Sequence, residues 1–406
     1  MMIRRDLYLN QLFGYIDKPL IKVITGIRRS GKSAILRMLR DELSGKGIDE
    51  ENIIYLNFES FEFSEIDRAE RLYDYIKGKI RNKKRYYILL DEIQEVESWE
   101  KAVNSFLVDF DADIYITGSN SRLLSSELAT YLAGRYIEIH LYTLSFSEYI
   151  LFREIRTHKK AGDLHGEFSH FLKMGGFPVL STGEYSYESA YKVVFDIYSS
   201  AILRDTVQRH NIRDVELLER VVRYVFDNVG NKFSAKNVAD YFKSQQRRID
   251  LNTVYNYLDA LEGAFIIYRI PRYDVRGKEI LKTFEKYFVA DQSLLYAVMG
   301  YKERHISGIL ENIIMLELKR RGYMVFVGKS DDKEIDFIAE MKGEKIYIQV
   351  AYRMSEKTTI EREFSSLIDI KDNYPKYVLT MDETWQDNIE GIQQMHIADF
   401  LVMKEY

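Results

Sequence analysis

The sequence has no cysteine and only four prolines, Pro19, Pro178, Pro271 and Pro375, in 406 residues. Without cysteine there is no disulfide framework, no thiol nucleophile, no Cys-ligated zinc and no thiolate-held iron–sulfur cluster. The seven histidines include no His-Glu-x-x-His pattern, which argues against a zinc hydrolase of that type. No uncharged apolar run approaches the roughly 18 residues of a membrane span. The start, Met1-Met2-Ile3-Arg4-Arg5-Asp6, lacks the apolar core of a signal peptide. The expectation is a soluble, cytoplasmic protein with no membrane partner. Charge of either sign is nearly balanced: 58 Lys+Arg against 63 Asp+Glu give a net −5. That excludes a uniformly basic nucleic-acid coat but leaves room for a local basic face.

What is present is a globular chain with enough apolar residues, 46%, to bury cores. At about 150 residues per domain it has room for two or three domains. The first 140 residues alternate apolar runs with amphipathic stretches. Strands are expected at 21–25, 53–58, 86–90 and 113–117, and helices at 33–43, 66–81 and 99–109. This alternation predicts an α/β fold with a parallel sheet covered on both faces. From about 145 to 225 the apolar period is helical, interrupted by Gly175-Gly176-Phe177-Pro178. Three short helices and a hairpin follow over 213–275. Asn252-Thr253 is expected to cap the third helix, and Pro271 to end the strand 265–270. The last stretch predicts a helix over 309–321, a Gly322 stop and strands near 324–328, 334–341 and 345–352.

Gly26-Ile27-Arg28-Arg29-Ser30-Gly31-Lys32-Ser33 fits G-x-x-x-x-G-K-[ST] between an apolar strand and a helix. Glycines let successive N–H groups turn inward toward phosphate oxygens, and the helix N-terminus adds partial positive charge. The expected nucleotide contacts are Gly26, Arg28, Arg29, Ser30, Gly31, Lys32, Ser33 and Ala34. Lys32 would meet the β and γ phosphates, and Ser33 would hold Mg²⁺. A second apolar strand ends in Asp91-Glu92. Asp91 is assigned to Mg²⁺ and Glu92 to orienting or deprotonating the attacking water. The next strand ends in Gly118-Ser119-Asn120-Ser121, and resemblance to AAA-type ATPases implies that Asn120 or Ser119 sits between the γ-phosphate and that water. Arg135 is the first candidate for an arginine finger supplied to a neighbouring copy, with Arg122 and Arg204 as alternatives.

These residues, together with Trp99-Glu100, Leu144-Ser145-Phe146 and Gly175-Gly176-Phe177-Pro178, resemble one group of bacterial and archaeal AAA-type ATPases. The resemblance implies a P-loop core (1–150), a helical lid (151–212), a winged helix (213–275) and a restriction-endonuclease-like domain (276–406). It further implies ATP hydrolysis with Mg²⁺ in a homo-oligomer. The function expected is ATP-driven conformational change, with DNA as a candidate substrate. The alternatives are a nucleotide-gated signalling or defence switch without DNA, and an ATP-dependent nuclease.

Residues 201–290 carry 16 Lys+Arg against 12 Asp+Glu. Lys232, Lys236, Lys243, Arg247 and Arg248 cluster there, and Asn252, Tyr255, Asn256 and Asp259 are expected on the outer face of the third helix. DNA contact through this winged helix and a purely protein-facing role are both open. In the C-terminal domain Glu311, Asp336 and Gln349 take the order of a nuclease metal site. The lysine position holds Ala351 and Gln349 removes a charge, so a degenerate scaffold is expected over an active nuclease.

Overall fold

The computed structural model describes residues 2–406 apart from 122–133, 248, 278, 331, 355–356 and 384–387. The chain divides into two compact units, 1–142 with 263–265, and 143–262 with 266–406.

The first unit is a parallel sheet. Its strands are β1 (Ile21–Thr25), β2 (Ile53–Asn57), β3 (Tyr86–Asp91), β4 (Ala112–Gly118) and β5 (Tyr136–His140), in the order β2-β3-β4-β1-β5. All four neighbouring pairs run parallel. Alternate residues point to opposite faces, so each face needs its own cover. Ile21, Val23, Ile88, Leu90 and Ile114 pack with Leu72, Ile76, Val103 and Phe106. These come from helices α3 (Ala69–Lys79) and α4 (Trp99–Asp109). Ile24, Leu89 and Tyr115 face the other way, onto Leu9 and Leu12 of α1 (Asp6–Phe13) and Ile35, Leu36 and Leu39 of α2 (Lys32–Gly45). The parallel α/β sheet expected from the sequence is therefore present. The edge strand β5 escaped the sequence reading because it is short and half-exposed, with no continuous apolar run.

The second unit begins with helices α5 (Phe146–Thr157), α6 (Leu164–Met174), α7 (Pro178–Thr182) and α8 (Tyr187–Ser200), the last continuing as a π-helix over Ala201–Gln208. Ser145 and Glu148 form a capping box at the start of α5. The Gly175-Gly176 corner is explained by close approach. Gly175 has φ +83°, and a Cβ at Gly176 would lie 2.5 Å from the Leu144 carbonyl oxygen. The Gly176 N–H donates to buried Asp291 at 2.8 Å. This loop is a packing corner, and Asp291 is its partner from 115 residues away.

Next come α9 (Val215–Asp227), α10 (Ala235–Ser244) and α11 (Leu251–Gly263), then the hairpin β6 (Ile267–Asp274) and β7 (Glu279–Val289). Two expectations here are corrected. The cap of α11 is Asp250, whose carboxylate accepts the Asn252 N–H at 2.8 Å, because the helix starts before Asn252. Pro271 does not end β6. The register with β7 shifts between Ile270 and Arg272, so the residue lacking an N–H sits at an irregularity and the ladder resumes beyond it.

The remaining elements are α12 (Gln292–Met299), α13 (Ile306–Arg320), β8 (Met324–Ser330), β9 (Lys333–Met341), β10 (Glu344–Val350), α14 (Lys357–Ile368), β11 (Lys376–Thr380), β12 (Asn388–Ile389), β13 (Ile392–His396) and α15 (Ile397–Val402). They build an eight-stranded sheet, β12-β13-β11-β10-β9-β8-β6-β7. The hairpin β6–β7 is its edge, so a division at residue 275 falls inside that hairpin. Among the described residues no helix is long and apolar enough to cross a membrane.

Candidate functional site: the phosphate-binding loop

The loop between β1 and α2 has the backbone that the motif requires. Gly26 (φ +143°), Arg29 (φ +68°) and Gly31 (φ +105°) are left-handed or otherwise unusual. At Gly26 a Cβ would lie 2.2 Å from the Leu141 carbonyl oxygen, so no side chain fits. Arg5 holds the loop from beneath. Its buried guanidinium donates to the Ser30 and Tyr142 carbonyls, each at 3.0 Å. Sequence reasoning missed Arg5, since nothing local distinguishes it from a surface arginine.

Lys32 is 4% exposed. Its ammonium donates to the Gly26 carbonyl at 3.0 Å and the Ile27 carbonyl at 3.3 Å, and lies 3.4 Å from a Glu92 carboxylate oxygen. Ser30 is buried, and its hydroxyl has no hydrogen-bond partner among the described residues. Arg28 reaches outward to Glu59 at 3.0 Å, Arg29 is exposed and Ala34 is half-buried at the start of α2.

β3 ends at Asp91, and Glu92 follows it, beside this loop. The Asp91 carboxylate accepts from Thr117 Oγ1 at 2.6 Å, from the Tyr55 hydroxyl at 2.9 Å, and from Ser33. Burial nonetheless raises its pKa, with Glu92 adding to the rise. Glu92 takes a left-handed backbone (φ +54°) that turns it out of the strand direction. Burial pushes its carboxyl up, but Lys32, a hydrogen bond from Gln94, and Arg28 outweigh that and hold it below the usual carboxylate range.

Thr117, at the end of β4, joins the two acids. Its hydroxyl oxygen accepts the Glu92 N–H at 2.9 Å while its proton goes to Asp91. Sequence reasoning passed over Thr117 in favour of Ser119 and Asn120. The usable signal was its register: Leu90 pairs with Ile116, so Thr117 is the next residue along beside Asp91. Ser119 and Asn120 are both buried just beyond.

Arg135 is exposed and lies immediately before β5, where its carbonyl accepts the Ile21 N–H at 2.8 Å. That is the opposite end of β1 from the loop. Arg122 lies outside the described residues, and Arg204 is on the π-helix of the second unit.

Sheet order, loop and paired carboxylates together define an AAA-type P-loop fold. A family model described as an AAA domain matches residues 18–150, and one described as a domain of unknown function (DUF8612) matches residues 166–305. An uncharacterized protein of Haemophilus influenzae is 42% identical over 403 residues, 99% of either chain. The uncharacterized protein MJ1544 of Methanocaldococcus jannaschii is 30% identical over 397 residues, covering 94% of this chain and 86% of that one. The chain belongs to the family of AAA-domain proteins that these relatives represent. Among solved structures, AMPPCP-bound DnaA from Aquifex aeolicus shows 14% identity and a TM-score of 0.32 over 63% of this chain and 85% of that one.

Proposed function

We propose that this protein binds ATP with Mg²⁺ and hydrolyses it, and that hydrolysis drives conformational change in a homo-oligomer. The observation that carries this reading is the placement of Lys32, Ser33, Asp91, Glu92 and Thr117 around one loop whose backbone leaves no room for a Cβ at Gly26. The residues fit the group: a Ser hydroxyl and a carboxylate already in contact are the oxygen donors that Mg²⁺ takes, and the Ser30 hydroxyl has no partner among the described residues. Mg²⁺ bound there would neutralise charge on the phosphates. Lys32 would exchange its loop carbonyls for phosphate oxygens. Glu92, kept ionised beside Lys32, would accept the proton of the attacking water, and Thr117 would hold Asp91 and Glu92 in register. Ser119 or Asn120 would contact that water.

A role for Arg135 at a γ-phosphate requires a second copy, because the residue sits at the far end of β1 from its own loop. In Lys32→Ala tight nucleotide binding should be lost, and Glu92→Gln should retain bound ATP without turnover. Undiminished hydrolysis in both would overturn the assignment.

For residues 213–275 the winged-helix reading rests on the order of α9, α10, α11 and the hairpin. It is also supported by the outer face of α11, where Asn252, Tyr255, Asn256 and Asp259 are exposed while Val254, Leu258 and Leu261 are buried. Lys236 and Lys243 are exposed cations available to phosphates, whereas Lys232 pairs with Glu334 at 3.0 Å and Arg247 with Glu216 at 3.3 Å. Arg248 lies outside the described residues. These internal pairs favour, as a second reading, a nucleotide-gated switch that does not need DNA. ATPase rates with and without duplex DNA at low and moderate salt, alongside sizing with and without ATP, separate the two. DNA stimulation that fades with salt supports the first, and an ATP-dependent size change without stimulation supports the second. For residues 276–406 the restriction-endonuclease-like reading is supported by the run helix–three strands–helix–strand from α13 to β11.

A further inference from the structure

The second unit contains its own buried lysine among carboxylates. Lys286, on β7, is 2% exposed. Its ammonium lies 2.8 Å from Glu311 Oε2 on α13, and 2.9 Å from Glu334 Oε1 and 3.4 Å from Asp336 Oδ1 on β9. An ammonium has three N–H donors, and here three carboxylates from two elements receive them. The rest of the cluster is also engaged. Asp336 Oδ2 accepts the Val350 N–H at 2.9 Å. Gln349 accepts the Asp336 N–H at 3.0 Å and donates to Glu363 at 2.9 Å. Lys232 meets the other oxygen of Glu334 at 3.0 Å.

The loop carrying Lys232 closes over Glu311. Gly230 donates to the Tyr287 carbonyl at 3.3 Å, and a Cβ there would come within 2.9 Å of Gly308 Cα and 3.3 Å of Glu311 Oε2. The cluster borders a cavity of about 690 Å³ that also reaches Ser307, Arg353 and Arg362.

Glu311 and Asp336 are the positions that the nuclease-like reading assigns to Mg²⁺. They do not fit a metal as they stand. Mg²⁺ needs near-octahedral oxygens at about 2.0–2.1 Å, and a cation already among these oxygens repels another. We propose that the Lys286 ammonium is the resident cation of this cluster, standing where a divalent metal would sit and excluding it. This inference rests on the restriction-endonuclease-like reading of residues 276–406 and is independent of the ATP site. It also changes the reason for expecting no nuclease activity. Ala351 lacks a lysine, but the decisive group is a lysine supplied by another strand.

The test is Mn²⁺ binding to the nucleotide-free full-length chain, followed by the paramagnetic signal of free Mn²⁺ and by thermal unfolding, with Asp336→Asn as the background to subtract. Wild type should show no Asp336-dependent Mn²⁺ site. Lys286→Ala should gain one, at least about tenfold tighter than any Mn²⁺ binding wild type shows. It should unfold at lower temperature without Mn²⁺ and recover with it, and both effects should vanish in Lys286→Ala/Asp336→Asn. If Lys286→Ala does not fold, Lys286→Gln, which fills the volume without the charge, is read the same way.

Mn²⁺ taken up by wild type and lost in Asp336→Asn would overturn the inference and leave the nuclease-like reading standing. So would Mn²⁺-dependent cleavage of plasmid DNA by wild type that Lys286→Ala abolishes. A folded Lys286 variant that binds no Mn²⁺ would overturn both.

Discussion

Two lysines, Lys32 at the phosphate-binding loop and Lys286 in the second unit, are equally buried, yet their surroundings give them opposite prospects. Lys32 faces two neutral carbonyls and one carboxylate. Lys286 faces three carboxylates. A hydrogen bond from an ammonium to a carbonyl contributes about 1.5–3 kcal/mol and can be exchanged for one to a better acceptor. An ammonium among three carboxylates cannot leave without stranding buried negative charge. Burial works against the Lys286 charge, but Glu311, Asp336 and Glu334 outweigh it and raise its pKa. Burial pushes the Glu311 carboxyl up, and Lys286 pulls it back down. In the readings proposed above, one lysine is held ready for an incoming anion, while the other is held in place as a counterion. Being a buried lysine beside acids is not what makes a site; the balance of neutral and charged partners decides.

The largest effect expected from this comparison is on folding. Lys286→Ala should destabilise the ligand-free chain by about 3–5 kcal/mol, the usual cost of breaking a buried pair from one side. Lys32→Ala should cost less, about 1.5–3 kcal/mol, because what it loses is chiefly charge-assisted bonds to neutral carbonyls. Equal losses in urea unfolding would break the comparison.

Next comes the support of the loop. Arg5→Ala removes two hydrogen bonds from a buried cation to carbonyls, worth about 1.5–3 kcal/mol each. It should weaken nucleotide binding by about tenfold or more in a fluorescent-nucleotide titration, while leaving Mn²⁺ behaviour of the second unit untouched. Thr117→Val should then lower turnover by about tenfold with binding nearly kept, since only the link between Asp91 and Glu92 is cut. An unchanged rate would mean that the threonine is packing alone.

The smallest effect concerns pH and touches neither lysine. His396 caps α15 by accepting the Ala398 N–H at Nδ1, 3.0 Å away, and stacks on His165 with ring centres 3.7 Å apart. Burial and His165 lower its pKa to about 4. In the unfolded chain a histidine takes its proton below about 6.5. Stability is therefore unaffected above that value and falls as pH drops from about 6.5 to 4, because only the unfolded state gains the proton. His396→Asn keeps a capping acceptor and should flatten that slope by about 1–2 kcal/mol. A slope identical to wild type would remove His396 from the account.

Much of the first unit was legible because its signals are local. The loop, its strand and its helix lie within 21–45, and Asp91-Glu92 follows directly from an apolar strand. The outer face of α11 was legible from helical period alone. What escaped depends on distance along the chain. Arg5 meets Ser30 from 25 residues away and Tyr142 from 137. Thr117 matters only because β4 lies beside β3. Pro271 looks like a stop until the hairpin register is known. In the second unit, the sequence placed Glu311 and Asp336 in one site but looked for the cation at Ala351, two residues past Gln349. It came from β7, 25 residues before Glu311 and 50 before Asp336.

The residues themselves determined a phosphate-loop motif between a strand and a helix, two adjacent acids after an apolar strand, and the absence of any cysteine thiol. Those features need only neighbours in sequence, backbone freedom at glycine and the period of side chains along a strand. Only the tertiary structure decided which charges meet. Burial makes an unpaired charge costly, so the fold must bring a partner from wherever the sheet order and loop crossings place one, and no local pattern records that choice.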